Sequence, residues 1–344
     1  MRSTPTTAAA LGAAASSWLA AALAGCVIQR DEVGILELSG GGASTTALPS
    51  GDTGSAAEAD DSEGDSTATA AGDDDSVYFD LGSDGGLEGE CACAPHVDLI
   101  YVLSTSKELW TFDPTTLEFA LVGPIPCEQQ HGFDASTFSM GVGRDGRAWI
   151  QYNDGDLYTV DVNDPQTCVD PGFEPGQLDI GTFGMSFVSN DETDPCDRIY
   201  GRSANIFTNR MLAVLDPESL LFTGIAVTEH EWVELAGTGD GQLFEFINND
   251  VLEAPLLIRL DRETGAELET LELQGVPTGG SFAFAFWGGD FYFFSGDAFG
   301  TSVSKLDWDE SDGQGQAVTV VVEDAPVIVV GAGSSTCVPI GPVG

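Results

Sequence analysis

One short run of alternating apolar and variable positions occurs five times along the chain. Its copies are Leu109–Asp113, Leu157–Asp161, Leu212–Asp216, Leu257–Asp261 and Val303–Asp307. Alternation of this kind predicts a strand buried on one face. Each copy stops at an Asp that opens a turn, as in Asp113-Pro114-Thr115-Thr116 and Asp261-Arg262-Glu263-Thr264-Gly265. A carboxylate there accepts hydrogen bonds from backbone N–H groups two or three residues on and ends the strand. The copies recur every 45–55 residues or so, a spacing that fits propeller blades and no helical repeat.

The flanking runs supply the other strands. In the second copy, Thr137–Val142 reads as a strand, Arg144-Asp145-Gly146-Arg147 as a turn and Ala148–Tyr152 as the return. Asn153-Asp154-Gly155-Asp156 then leads into the recurring strand, and Thr167–Phe173 forms a fourth, outer one. Asp-Gly between apolar runs is the strongest short hairpin signal. The third copy has a longer first loop, Ser189–Asp197. The first copy lacks an innermost strand, whereas the apolar run Pro326–Val330 has no blade of its own. Placing that run in the first blade closes a ring and removes an exposed sheet edge. The fold expected is all-β, a propeller of five four-stranded blades; six remain open if the region after Phe282 divides differently.

The amino terminus departs from this pattern. Arg2, an Ala/Leu-rich run and Leu23-Ala24-Gly25-Cys26 read as a targeting segment over residues 1–25. From 26 to 90 the chain is rich in Ser, Thr, Gly, Ala, Asp and Glu, with aromatics only at Tyr78 and Phe79. Such a stretch buries too little apolar surface to fold and is expected to be a disordered, self-repelling tether with a span of roughly 40–45 Å. The propeller domain then occupies 91–344. Leu23-Ala24-Gly25-Cys26 resembles the lipobox of bacterial lipoproteins, in which the Cys is lipidated. Together with the strand-turn repeats, the chain resembles β-propeller lipoproteins of Gram-negative bacteria over about Cys91–Cys337. The resemblance implies a propeller in the cell envelope, held to the outer membrane by a lipid on Cys26 and facing the periplasm or the cell surface. It implies no activity, because propellers host many.

Charge and cysteine content refine the picture. A formal net charge of −45 keeps the chain soluble and repels nucleic acid and anionic membranes, which leaves cations and basic surfaces as counterparts. Beyond Cys26, the six cysteines Cys91, Cys93, Cys127, Cys168, Cys196 and Cys337 suggest three disulfides in an oxidising compartment. Ring closure sets Cys337 beside Cys91 or Cys93. The same topology is expected to put Cys168 and Cys196 on one face and to leave Cys127 for the remaining partner. Cys91-Ala92-Cys93 has neither redox nor zinc spacing.

Candidate chemistry is sparse. The three histidines, His96, His131 and His230, lie in no metal-ligand spacing, and neither a GxSxG elbow nor a phosphate loop is present. No EF-hand register fits the Asp-rich tether, and Asp307–Gln316 misses by one place, so weak calcium binding is the most that is expected and no cofactor is. Asp145, Asp240 and Asp290 belong to hairpin turns. His131 and His230, each ahead of an inner strand, could approach one face of the ring, with Glu231, Trp232 and Glu234 at the channel mouth. The alternating Phe282–Trp287 run suits an inner strand, its large residues packing between blades. The function expected is a monomeric, non-catalytic binding module for a protein, glycan or cell-wall ligand. The alternative is a carbohydrate hydrolase or lyase with channel carboxylates, which would need two at a defined separation.

Overall fold

The computed structural model describes residues 91–127, 135–204, 210–248, 252–308 and 316–343. Cys26 and the whole of 1–90 lie outside them. The strands β1 (Ile100–Ser104), β2 (Glu108–Asp113) and β3 (Glu118–Pro124) belong to the first blade. The second is β4 (Thr137–Val142), β5 (Arg147–Tyr152), β6 (Leu157–Asp161) and β7 (Asp164–Val169). The third comprises β8 (Phe183–Ser189), β9 (Asp197–Ser203), β10 (Met211–Leu215) and β11 (Phe222–Val227). The fourth follows with β12 (Val233–Gly237), β13 (Leu243–Ile247), β14 (Leu256–Leu260) and β15 (Glu267–Glu272). The fifth has β16 (Ser281–Trp287), β17 (Asp290–Asp297), β18 (Gly300–Leu306) and β19 (Val318–Val322). The last strand, β20 (Val329–Ser334), returns to pair with β1, so every sheet has four antiparallel strands. Inner strands neighbour one another in the cycle β20–β4–β8–β12–β16–β20, which makes the five sheets a closed ring.

The recurring run is the third strand of every blade. Its Asp ends the strand as expected, with Asp113 Oδ1 accepting from Thr115 N at 2.8 Å, Asp216 Oδ1 from Ser219 N at 2.8 Å, and Asp261 Oδ1 from Thr264 N at 2.9 Å. The residue four places on donates its N–H to the carbonyl of the same Asp and takes a left-handed backbone, with φ of 60° at Leu117, 59° at Leu220 and 69° at Gly265. These hydrogen bonds hold the Asp216 and Asp261 carboxyls below the usual range; at Asp113 they outweigh an opposing effect of burial.

Three expectations need correction. The closing strand is Val329–Ser334, not Pro326–Val330, because the ring centre takes small residues and Gly331-Ala332-Gly333-Ser334 reads as loop by composition. The outer strand of the second blade is Asp164–Val169, since a tight turn pairs Asp161 with Asp164 directly. Cys168 and Cys196 do not meet. Cys93–Cys337 closes the ring, but Cys196 bonds Cys91 and Cys168 bonds Cys127. Strand direction gives the reason. An outer strand runs back toward the opposite end of the ring, so Cys168 lies far from the Ser189–Asp197 loop and close to the chain leaving β3.

Inner strands of neighbouring blades pack backbone to backbone. A Cβ on Gly237 would sit 2.1 Å from the Phe187 carbonyl oxygen, and one on Gly184 2.6 Å from that of Val233, so neither position tolerates a side chain. The Phe/Ala strand β16 sends rings between blades, where Phe284 stacks on Phe293 and meets Phe246 at 5.4 Å.

Candidate functional site

Strand direction sorts the connections onto two faces. First-to-second and third-to-fourth turns gather on one, the turn face. Second-to-third hairpins and the outer-to-inner links gather on the other, the cup face. The turn-face end of the axis is plugged by the chain beyond β20. Thr336 accepts from Arg144 Nη1 of the second blade at 3.1 Å and donates to Asp197 Oδ2 of the third at 3.1 Å. Gly239 of the fourth blade leaves room for the Thr336 carbonyl, and Gly288 N of the fifth donates to the Pro339 carbonyl at 2.8 Å. Burial pushes the Asp197 carboxyl up to about 6, against the hydrogen bonds from Thr336 and Arg144.

The cup-face end is open. A cavity of about 520 Å3 sits there, lined from all five blades and mostly apolar. Phe138, Trp232, Phe282, Ile328 and Val330 form its walls. Glu234 also lines it, yet its side chain is only 5% exposed. Ser139 explains how a carboxyl is held there: its hydroxyl donates to Glu234 Oε2 at 2.8 Å and accepts from Met185 N at 3.2 Å. Burial pushes the Glu234 carboxyl well above the usual range, more than that hydrogen bond lowers it. At the rim, the hairpin joining β17 to β18 brings Asp297 and Ala298 to the cavity. Its next residue, Phe299, is 93% exposed. Trp232 is 47% exposed and holds a left-handed backbone with φ of 58°, which is costly for an aromatic residue.

Behind the Trp232 segment lies a buried ion pair. Arg202 on β9 and Glu245 on β13 have fully buried side chains, with Arg202 Nε 2.9 Å from Glu245 Oε1. The guanidinium also donates to the Ser203 carbonyl at 2.9 Å and to the His230 carbonyl at 2.5 Å, which fixes the chain two residues ahead of Trp232. Burial drives the Glu245 carboxyl up and the guanidinium down, and the attraction between them opposes both.

Trp232 and Glu234 therefore share the cup. His230 turns to Glu267, 3.0 Å away, and Glu231 to Arg210, 3.3 Å away, so neither belongs to its lining. His131 lies outside the described residues. Among the described residues, no cluster of three or more His, Cys, Asp or Glu is placed to hold a metal ion. Sequence reasoning passes over Ser139, Arg202, Glu245 and Phe299. The buried pair does leave a signal: Glu245 is the one charge in the apolar strand β13, and Arg202 falls in the stretch of β9 that is buried throughout.

No known protein family's profile matches the chain, and no curated protein does. Among solved structures, hydrazine synthase of Kuenenia stuttgartiensis is similar at 11% identity and a TM-score of 0.37, over 70% of each chain. A chain of a mitotic checkpoint complex matches at 12% and 0.36, over 70% of this chain and 79% of that one. TolB from Acinetobacter baumannii matches at 13% and 0.38, over 65% and 52%. Likenesses this distant carry no argument about activity, ligand or partner.

Proposed function

We propose that the chain is an extracytoplasmic binding module, tethered by a lipid on Cys26, whose ligand seats in the cup at the open end of the ring. The observation that carries this reading is the cup itself. It is mostly apolar, of the volume of small-ligand sites (roughly 300–1,000 Å3), and its wall includes the Glu234 carboxyl, already hydrogen-bonded by Ser139. Three disulfides fit an oxidising compartment, and the lipobox and the acidic tether fit attachment at the cell envelope. Partners of this site would be a protein segment, a glycan or a cell-wall fragment.

Thermal unfolding of the purified protein with peptides, glycans, peptidoglycan fragments, calcium and EDTA tests it. A ligand at a hundred times its Kd adds about 2.7 kcal/mol, enough to move the midpoint visibly. One ligand class should raise the midpoint of the wild type and not of Trp232→Ala; a shift that survives this change would place the site elsewhere. A hydrolase reading rests on Glu234, a carboxyl at the cavity wall that burial shifts upward, the direction a general acid needs. It predicts sugar release that Glu234→Gln abolishes, and a flat time course with every glycan of the panel removes it.

A further inference from the structure

We infer that the cup is built for an organic ammonium carried on an apolar body, such as an arylalkylammonium or the lysine side chain of a peptide. This rests on the cup being the ligand site. Two independent features of its lining converge on such a group. The first is charge: among the described residues that line the cavity there are two carboxyls, Glu234 and Asp297, and no Lys, Arg or His. A cation entering there meets no positive charge among the described lining residues, within a chain of net charge −45. The second is the aromatic wall. Phe138, Trp232 and Phe282 come from three different blades to the same cavity, and ring faces attract desolvated cations. An uncharged ligand would gain nothing from the Glu234 carboxyl beyond a hydrogen bond; an ammonium favours its ionised form and pairs with it, while its hydrocarbon part fills the rest of the cavity. The preset Ser139 hydrogen bond keeps the carboxyl in place before the ligand arrives.

Three soluble probes of one shape separate the contributions: 3-phenylpropylammonium, 3-phenylpropanol and 3-phenylpropionate, titrated into the purified protein by calorimetry at low salt. The ammonium is expected to bind about ten-fold tighter than the alcohol, and the carboxylate weakest. Glu234→Gln keeps the side-chain shape and should bring ammonium and alcohol to within about three-fold, while Trp232→Ala should weaken both. If the alcohol binds as tightly as the ammonium and Trp232→Ala weakens it, the cup remains the site and the ammonium inference falls. The inference also falls if the preference for the ammonium survives Glu234→Gln. If no probe binds at millimolar concentration the ammonium inference falls, and if binding ignores Trp232→Ala both readings fall.

Discussion

Replacing Arg202 by Met would leave the Glu245 carboxyl buried without its charge partner, and this is the most exacting test of how the third and fourth blades are joined. Met keeps the apolar stem but is three heavy atoms smaller than Arg, so a packing loss in this fully buried site adds to the electrostatic one. Arg202 makes one charge-assisted bond to Glu245 and donates to two carbonyls, those of Ser203 and His230. Glu245 Oε2 is already buried without a hydrogen-bond partner among the described residues, so none of them stands ready to satisfy the carboxyl. Breaking a buried pair from one side costs about 3–5 kcal/mol, a large part of the ~5–15 kcal/mol that holds a domain folded. Urea denaturation followed by tryptophan fluorescence reads the cost as a lowered midpoint at unchanged slope. Arg202→Met with Glu245→Leu should recover most of it, because an apolar pair needs no compensation. The single variant's deficit should also shrink as the pH is lowered, since burial favours the protonated Glu245. A cost below about 1 kcal/mol, or a double variant as unstable as the single one, would refute the reasoning.

Further outcomes follow from the same structure. The Cys93–Cys337 bridge spans 244 residues, so Cys93→Ser with Cys337→Ser should cost about 5 kcal/mol if loop entropy governs, read by urea unfolding. Asp197 has a folded pKa raised to about 6. The folded state thus holds its proton more tightly than the unfolded chain, and stability should rise as pH falls from 7 toward 4. Asp113, Asp216 and Asp261 are shifted the opposite way and should reverse the trend below about pH 4. Melting temperature against pH should peak in that acidic interval, and Asp197→Asn should flatten the rise. Gly237→Ala forces a Cβ to within 2.1 Å of a backbone oxygen and should cost about 3 kcal/mol, or abolish folding. Gly341→Ala, with nothing within 4 Å of the new Cβ, should leave thermal unfolding unchanged.

Much of this architecture is legible in the sequence because a propeller writes its third strands in one idiom. A run of alternating residues ending in Asp, repeated in every blade, survives divergence at other positions, since the Asp has a backbone to bond. What stays hidden depends on neighbours rather than on local pattern. The closing strand is rich in Gly and Ala because inner strands nearly touch, and out of context that composition reads as loop. The Cys127–Cys168 pairing follows from where the outer strand β7 ends; reading that strand a few residues late puts Cys168 at the wrong end of the ring. Trp232 and Glu234 are visible as an aromatic between carboxyls. The cup they share is not, because five blades contribute to it and no single stretch encodes it. Ser139, the residue that fixes Glu234, lies 95 positions away.

Whether ligands bind in the cup rather than at the plugged end is tested most directly by blocking each end in turn. A bulky maleimide is attached through Phe299→Cys at the rim, or through Ile340→Cys at the turn face, and the thermal-shift panel is repeated on each adduct. With the ligand in the cup, the rim adduct abolishes every ligand-induced shift of the wild type and the turn-face adduct leaves them intact. Shifts that survive at the rim and vanish at the turn face would contradict a ligand site in the cup.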